Sequence, residues 1–308
     1  MNYLITGGAG FIGAALSNRL ARQGHSVRAL DDLSTGDPSG LVPQVEFIKG
    51  DVNDKPLLWT LLRDVDCVFH LAALVSVPES SLFPSEYNRI NVAGTVNLME
   101  AIRDAKVKRI VFASSGAIYG KLDHIPYKET DEVLPGSPYA VSKLAAEYYI
   151  KEISNEAGVE AVILRIFNAY GPGQRIPLSH PPIIANYLLH AITNGSIVIH
   201  GDGTQTRDYV YIDDVVNALA TSSTATGVDQ QIINIGSGVE TSVLELVRQV
   251  RDVTQRRPEE IFNPHKSGGS SRMVADISKA YEKLNYLPMT PLAAGLRLTI
   301  ERDPRLKN

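Results

Sequence analysis

The sequence has one cysteine, Cys67, among its 308 residues. An internal disulfide is therefore excluded, and the apolar run DCVFH at residues 66–70 predicts a buried structural thiol there. The seven histidines are scattered, with no HxxxH spacing and no second cysteine to form a paired motif. The sequence thus predicts no metal site.

Charge of one sign and long apolar runs are also lacking. The formal net charge is only −4, so no general attraction to nucleic acid or to an anionic membrane is expected. No apolar run approaches the roughly 20 residues that a bilayer-spanning helix needs. The first residues already predict a strand that leads into a glycine turn, which leaves no place for a signal peptide. We expect a cytoplasmic protein that binds neither nucleic acid nor membrane.

Short apolar runs alternate with helical patterns along the first half of the chain. The predicted strands are residues 3–5, 27–30, 45–48, 67–71, 109–113 and 161–167, and the clearest predicted helices are residues 12–23, 90–105 and 139–157. Strands without polar alternation, separated by helices, indicate a parallel sheet that is covered on both faces. The predicted fold class is α/β, with a doubly wound, Rossmann-like parallel sheet.

The composition changes after Phe167. Glycines and prolines crowd residues 171–182, which predicts an irregular segment, and apolar strands return at 197–199, 209–211 and 232–235. We therefore expect a smaller C-terminal substrate domain interleaved with the first. The predicted division assigns residues 1–167 plus 209–256 to cofactor binding, and residues 168–208 plus 257–308 to substrate binding.

A glycine-rich segment, TGGAGFIG at residues 6–13, follows the first strand and opens a helix. Gly7, Gly10 and Gly13 allow a tight turn and close approach of a pyrophosphate, which the helix N-terminus favours electrostatically. Such a pattern alone is weak, and a plain tight turn is the alternative. Asp31, at the end of the second strand, can accept from ribose hydroxyls and would repel the 2′-phosphate of NADP. The sequence predicts an NAD site.

Two further strand ends extend this predicted groove. Asp51 ends the third strand, where it could meet the adenine amino group. The segment HLAA at residues 70–73 ends the fourth strand, where small residues let the backbone approach a cofactor. Each feature alone is about as often structural, but together they describe one groove along the carboxyl edge of the sheet.

Tyr139 and Lys143 lie four residues apart, on one face of a predicted helix. Tyrosine is a poor base, with a pKa near ~10. A neighbouring ammonium and a cationic nicotinamide would both lower that pKa. Ser114 and Ser115 end the preceding strand, where a hydroxyl can bind a reacting oxygen. The alternative is an ordinary surface Tyr–Lys pair.

These segments together resemble a known family. TGGAGFIG at 6–13, HLAA at 70–73, SGAIYG at 115–120 and YAVSK at 139–143 are similar to the extended short-chain dehydrogenase/reductases. DDLSTG at 31–36, SVPES at 76–80 and RDY at 207–209 resemble the UDP-glucose 4-epimerase branch. The resemblance runs from Met1 to about Leu292.

The resemblance implies roles for three residues. Tyr139 would remove the proton of the sugar 4-hydroxyl while C4 passes hydride to NAD. Lys143 would hold the nicotinamide ribose and lower the pKa of Tyr139, and Ser115 would hydrogen-bond the same sugar oxygen. Counting four residues back from Tyr119 selects Ser115, which leaves Ser114 as a structural hydroxyl.

The same resemblance and the motifs above give a full set of cofactor contacts. They are Gly7, Gly10, Phe11, Ile12, Gly13, Asp31, Asp32, Ser34, Thr35, Asp51, Val52, Leu71, Ala72, Ala73, Tyr139 and Lys143.

For the substrate, the resemblance implies a UDP-sugar site in the second half of the chain. Asn168 and Arg207 would contact the diphosphate, the latter by a charge-assisted bond. Arg272 is a further candidate, with a solvated loop arginine as the equal alternative. Val198 and His200 fall where relatives place the nucleobase wall, although an aromatic residue usually stands at the position of His200.

Met273 falls where some UDP-galactose epimerases have a bulky tyrosine beside the sugar 2-substituent. A flexible methionine could admit an acetamido group, which favours a UDP-N-acetylhexosamine or another modified hexose. The alternative is that Met273 packs in the core.

The fate of the 4-keto sugar is the remaining question. Related dehydratases usually carry an Asp-Glu pair directly after the catalytic hydroxyl, whereas this chain has Gly116 and Ala117, which cannot titrate. That favours epimerisation. Elimination of water stays an alternative, with Tyr139 or one of Lys121, Asp123 and His124 moving the second proton. Solvated loop charges are the better interpretation of those three.

A different class of function is a non-catalytic sensor that binds NAD. Such proteins usually lose the tyrosine or the lysine, and this chain has both. By resemblance, helices 90–105 and 139–157 would pair with their copies in a four-helix bundle, so a homodimer is expected.

Overall fold

The computed structural model describes residues 1–177, 179–265 and 272–307. The strands in chain order are Asn2–Thr6 (β1), Ser26–Asp31 (β2), Val45–Lys49 (β3), Cys67–His70 (β4), Arg109–Ser115 (β5), Glu160–Ile166 (β6), Asn168–Tyr170 (β7), Ile197–His200 (β8), Thr206–Arg207 (β9), Tyr209–Tyr211 (β10), Gln231–Ile235 (β11), Thr241–Ser242 (β12) and Glu260–Asn263 (β13). Seven of these described strands form one parallel sheet, in the order β11-β6-β5-β4-β1-β2-β3.

Apolar sequence explains why this sheet is parallel and central. In β4 and in all but the first residue of β1 and β6, every side chain is buried, so both faces of these strands are covered. The prediction of a doubly wound, Rossmann-like parallel sheet is confirmed. Each predicted strand of the first half is present, with its ends within two residues of the predicted ones, and the predicted strand at 232–235 adds β11 to the edge.

Helices cover both faces of the sheet. They are Phe11–Arg22 (α1), Lys55–Leu61 (α2), Val77–Leu82 (α3), Pro84–Tyr87 (α4), Gly94–Ala105 (α5), Pro138–Ala157 (α6), Ile183–Ile192 (α7), Ile212–Ser222 (α8), Val243–Thr254 (α9), Ser278–Leu284 (α10) and Leu292–Arg302 (α11). One apolar cluster includes Leu16 of α1 and Leu219 of α8, and a second includes Leu58 of α2, Leu98 of α5 and Ile150 of α6. None of the helices in the described residues is long and apolar enough to cross a bilayer.

The helix predicted over residues 90–105 begins differently. Residues Asn88–Ala93 form a π-helical turn, and the α-helix starts only at Gly94. Within the wide turn, the Asn91 side chain accepts from the Leu74 amide at 2.8 Å and donates to the Leu74 carbonyl at 2.9 Å. It also donates to Ser142 Oγ at 2.9 Å. The turn thus ties the segment after β4 to α6, and π turns are common at functional sites.

The shorter strands lie outside the main sheet. β7 pairs with β10 and β8 with β13 in parallel, while β9 pairs with β12 antiparallel. The β9–β12 ladder joins residues from both sides of the predicted domain boundary. The division into a cofactor part and a substrate part therefore stays a prediction.

One buried carboxylate links these outer segments to the sheet. Asp208, which is fully buried between β9 and β10, accepts from the amide and the hydroxyl of Ser237, each at 2.6 Å. It also accepts from the amides of Gly238 at 3.0 Å and Ala275 at 3.1 Å. Burial raises the pKa of Asp208 against the effect of these donors. The loop after β11 and the segment before α10 are thereby fixed on one side chain.

Replacing Asp208 by alanine should lower the free energy of unfolding by about 3 kcal/mol, because several buried donors lose their acceptor at once. Urea unfolding followed by circular dichroism measures this. Asp202→Ala is the matched control, since Asp202 caps Thr204 in the same way on an exposed turn. Equal midpoints for the two variants would contradict the structural role given to Asp208.

Candidate active site

The glycine turn after β1 leaves no room for side chains. Gly7 has φ +68°, and a Cβ built on it would lie 2.7 Å from the Ala72 nitrogen. A Cβ on Gly13 would lie 1.9 Å from the Gly7 carbonyl oxygen. The residue that caps α1 is Gly10, which has no side chain, so no capping side chain occupies the first amides of the helix. The predicted pyrophosphate position is therefore a backbone cradle at a helix N-terminus, which fits a dinucleotide.

Asp31, at the end of β2, forms the next part of the predicted cofactor site. Its two carboxylate oxygens accept from the amides of Ala9 at 3.0 Å and Leu33 at 2.9 Å. These bonds orient the carboxylate while leaving lone pairs for ribose hydroxyls. Asp32, next along, accepts from the amide and hydroxyl of Ser34, at 2.9 and 2.7 Å. The predicted ribose contacts thus lie in one ordered loop.

The predicted adenine end is at β3. Asp51 accepts from the Asn53 amide at 2.9 Å and forms an ion pair with Arg89 at 3.2 Å. These partners leave the pKa of Asp51 lowered, although its partial burial acts in the opposite direction. Val52 beside it is buried. Asp51 has strong partners of its own, and its contact with adenine stays a prediction.

A buried histidine organises the end of β4. His70 bonds through Nδ1 to Thr6 Oγ1 at 2.7 Å and through Nε2 to Thr95 Oγ1 at 2.9 Å. Thr6 Oγ1 also accepts from the Ala72 amide at 3.3 Å. Burial lowers the pKa of His70 to about 3, and the charge of Lys143 adds to this. Neutral His70 therefore links β1, β4 and α5, and its partner Thr6 also holds the backbone at Ala72.

The three predicted catalytic side chains meet at the carboxyl edge. Ser115 is the last residue of β5, and Tyr139 and Lys143 lie four residues apart in α6, which Ser137 caps. The Ser115 hydroxyl accepts from the Ala117 amide at 3.2 Å, and its interaction with the Tyr139 phenol favours a lower pKa of that tyrosine. The Tyr139 ring packs edge-on against buried Tyr87, with ring centroids 6.4 Å apart. The structure brings together the residues that the sequence placed on a strand end and on a separate helix.

Lys143 is buried, with 3% of its surface exposed. Its ammonium lies 4.2 Å from the centroid of the Phe112 ring, a cation–π contact. Burial lowers the pKa of Lys143 to about 7, while the carboxylate of Glu147 acts in the opposite direction. The charge of this lysine is therefore sensitive to pH near neutrality.

Tyr139 differs from the expectation drawn from sequence. Its pKa is raised in the protein, because burial disfavours the tyrosinate more than the Ser115 hydrogen bond favours it. The lowering expected from Lys143 is not seen in the chain alone, where burial and the Ser115 hydroxyl are the two causes of the shift. The cationic nicotinamide of a bound cofactor would favour the tyrosinate.

Ser114, the neighbour of Ser115, has a different partner. Its hydroxyl donates to Glu147 in the interior, under α6. This contact agrees with the structural role that the sequence suggested for Ser114.

The predicted diphosphate residues lie around β7, β9 and β12. The Asn168 amide group donates to the Asp208 carbonyl at 3.0 Å, and Arg207 Nη1 donates to the Thr206 carbonyl at 2.6 Å. Burial lowers the pKa of Arg207, yet a guanidinium stays charged at neutral pH. Arg272 forms a bidentate ion pair with Glu240, with Nε and Nη2 each 2.6 Å from a carboxylate oxygen.

The predicted nucleobase wall lies on β8. Val198 is exposed and pairs in register with Ile261 of β13, and His200 pairs with Asn263. Met273 is partly buried and packs against a small cluster that includes Tyr127. Packing, the alternative interpretation of Met273, is thus observed, and its contact with a sugar substituent stays a prediction.

The first position after Ser115 is closed by packing. A Cβ on Gly116 would lie 3.1 Å from the Phe167 ring, so a larger residue would need that ring to move. Lys121, Asp123 and His124 are exposed, and His124 pairs with Asp131 at 3.0 Å. Solvated loop charge is therefore the observed state of these three residues. No group of three histidine, cysteine or acidic side chains within the described ranges could bind a metal ion.

Sequence reasoning missed several residues that shape this site. Glu147 continues the four-residue spacing of Tyr139 and Lys143, a signal that was available in the sequence. Glu240 and Tyr87 gave no such signal, because their partners Arg272 and Tyr139 are distant in the chain. Only the folded chain brings these pairs together.

Comparison with known proteins places this geometry in context. The model of a family described as NAD dependent epimerase/dehydratase matches residues 3–236. The chain is 38% identical over 299 residues to a putative UDP-glucose 4-epimerase of Methanocaldococcus jannaschii, covering 96% of each protein. It is similar to the structure of UDP-glucose 4-epimerase from Thermotoga maritima with UDP-glucose, with a TM-score of 0.94, 34% identity and 98% of each chain covered. It is also similar to UDP-N-acetylglucosamine 4-epimerase from Methanobrevibacter ruminantium in complex with UDP-N-acetylmuramic acid, with a TM-score of 0.93, 32% identity and 97% of each chain covered.

Asp31→Ala should weaken NAD binding about tenfold, because the ribose loses an acceptor and the loop loses two bonds. Binding of NADP should improve relative to NAD, since the charge that repels its 2′-phosphate is gone. Titration calorimetry with both cofactors measures the two dissociation constants. Asp37→Ala, which removes an exposed turn cap, should change neither value. An unchanged preference for NAD in Asp31→Ala would place the ribose contact elsewhere.

Proposed function

The chain belongs to the NAD-dependent epimerase/dehydratase family, and from that premise we propose that it interconverts the C4 epimers of a UDP-sugar. The observation that carries the proposal is the meeting of Ser115, Tyr139 and Lys143 at the sheet edge where the glycine turn lies. A hydroxyl pair beside a buried lysine can bind and deprotonate a sugar hydroxyl. A non-catalytic sensor would need none of these side chains in this arrangement.

The cofactor is NAD, which when bound would supply the hydride acceptor and donor for C4 of the sugar. Gly7, Gly10 and Gly13 would lie under its pyrophosphate, with Asp31 on the adenosine ribose. The close approaches at Gly7 and Gly13 support this placement, because a side chain at either position would fill the cradle.

Proton movement falls to the catalytic side chains. Tyr139 Oη removes the proton of the 4-hydroxyl and later returns it to the same oxygen. Ser115 Oγ hydrogen-bonds that oxygen and keeps it within reach of Tyr139. Lys143 supplies a positive charge under the site, which favours the tyrosinate when the lysine is protonated.

The UDP-sugar would occupy the side of the site formed by β7, β8 and β9. Asn168 and Arg207 are the proposed diphosphate contacts, and Arg272 would approach from the segment that Glu240 orients. Val198 and His200 are the proposed wall of the uracil pocket. One structural relative is a UDP-N-acetylglucosamine 4-epimerase, which supports an N-acetylhexosamine beside glucose as a candidate sugar.

Elimination of water from the 4-keto sugar is not favoured. It needs a second acid or base near C5, and the positions directly after Ser115 are Gly116 and Ala117. The exposed charges of Lys121, Asp123 and His124 lie in a solvated loop. The 4-keto sugar is therefore expected to rotate within the site and to be reduced again at C4.

We also propose a homodimer in the cytoplasm. Along the outer side of α6, Val141, Tyr148 and Tyr149 are exposed, which leaves an apolar helix face for a second copy. Light scattering should give twice the chain mass, and Tyr148→Glu should give a monomer. Tyr281→Glu, on exposed α10, is the control that should stay dimeric. A monomeric parent protein would reject this assembly.

Proton NMR of the reaction tests the function directly. UDP-glucose and UDP-N-acetylglucosamine are incubated separately with enzyme and NAD. New anomeric signals of the 4-epimer at unchanged mass are expected, and the initial rates rank the two sugars. A product lighter by one water would establish a dehydratase, and no reaction with either sugar would reject both substrates.

Tyr139→Phe should reduce turnover by about 100-fold or more, because the general base is lost while the ring remains. NAD affinity and the melting temperature should stay close to those of the parent protein. Tyr281→Phe on α10 is the control, since Tyr281 is exposed and lies outside the proposed catalytic and dimer contacts. Near-normal turnover in Tyr139→Phe would remove this residue as the base.

A further inference from the structure

A buried ion pair lies directly beneath the catalytic residues. Glu147 of α6 and Arg165 of β6 have side chains that are 3% and 4% exposed. Arg165 donates to the carboxylate through Nε at 3.1 Å and through Nη2 at 2.8 Å. Burying two charges costs free energy that their attraction only partly offsets, so the pair is not explained by stability alone.

The pair touches both elements that carry the catalytic groups. On α6, Glu147 follows Tyr139 and Lys143 at the same four-residue spacing, so the three share one helix face. On the sheet, Ser114 and Arg165 are register partners between β5 and β6. Glu147 accepts from both of these side chains. One carboxylate thus sets the position of α6 over the strand end that presents Ser115.

The groups that face Lys143 come from three elements. From β4, His70 is neutral and bonded to two threonine hydroxyls. From β5, Phe112 presents its ring face. From α6 itself, the carboxylate of Glu147 raises the pKa of Lys143, against the lowering caused by burial. Arg165 of β6 forms a buried ion pair with the same carboxylate.

We propose that Glu147 is a positioning residue, whose buried carboxylate binds Ser114 and Arg165 and so holds α6, with Tyr139 and Lys143, against the Ser115 end of β5. The inference rests on the proposed function and adds a residue that touches neither cofactor nor sugar. Glu147 keeps Lys143 protonated at higher pH than burial alone would allow. Its contact with Ser114 keeps the neighbouring Ser115 hydroxyl in place.

Glu147→Gln tests this without using the reaction. Lysine labelled with 13C at Cε reports each lysine pKa by NMR, and the Lys143 signal is assigned by its loss in Lys143→Arg. Removing the carboxylate should lower the Lys143 pKa by about one unit, since an opposite charge nearby favours the protonated form. Because the titration is done before NAD is added, it measures the effect of Glu147 on the Lys143 pKa. The result is therefore independent of whether the enzyme turns over a UDP-sugar.

The kinetic measurement uses the NAD-saturated enzyme. If the protonated lysine is the active form, kcat falls as the pH rises through its pKa, and in Glu147→Gln this fall should begin at lower pH. Glu160→Gln is the matched control. Glu160 pairs with Arg109 across the same two strands, at their opposite end, so both the Lys143 pKa and the kcat profile should be unchanged.

A double variant, Glu147→Leu with Arg165→Met, covers the case in which Glu147→Gln leaves Arg165 unpaired and does not fold. It removes both buried charges and should still show a lowered Lys143 pKa. A folded variant of either kind with the parent Lys143 pKa and the parent pH profile would overturn the proposal.

Discussion

Parallel pairing is the constraint on which the site depends. Because all seven strands of the main sheet run the same way, their carboxyl ends meet at one edge. The glycine turn, Asp31, His70 and Ser115 each follow or end a different strand there. Helix α6 adds Tyr139 and Lys143 to that edge from one face.

Two buried carboxylates connect the site to the rest of the protein in different ways. Asp208 accepts mainly from backbone amides, and it fixes loops that are far apart in sequence. Glu147 accepts from side chains, including a buried guanidinium, and its charge favours the ammonium form of Lys143. The first therefore acts on the stability of the fold, and the second is proposed to position the predicted catalytic groups.

Burial has opposite effects on the two central titratable groups. It raises the pKa of Tyr139 and lowers that of Lys143, so each group tends toward its neutral form. For Tyr139 to act as a base, charged groups other than these two must favour the tyrosinate and the ammonium. The Glu147 carboxylate favours the ammonium, and a cationic nicotinamide would favour the tyrosinate. These two shifts predict that proton transfer at Tyr139 depends on bound cofactor.

The sequence by itself determined the sheet and the chemistry along it. Unbroken apolar runs specify strands that are buried on both faces. The turn at residues 6–13 requires glycine because of its own backbone conformation, with φ +68° at Gly7. The spacing of Tyr139 and Lys143 is likewise a local property of a helix. These features depend on neighbours in the chain, which is why they could be predicted.

Only the tertiary structure decided which side chains face one another across the chain. The Arg272–Glu240 ion pair, the Tyr87–Tyr139 ring contact and the Ser114–Glu147–Arg165 cluster join residues from separate elements. The raised pKa of Tyr139 could not be predicted from the sequence either, because desolvation depends on how deeply α6 packs on the sheet. Local periodicity carries no information about that depth or about distant partners, so packing alone sets them.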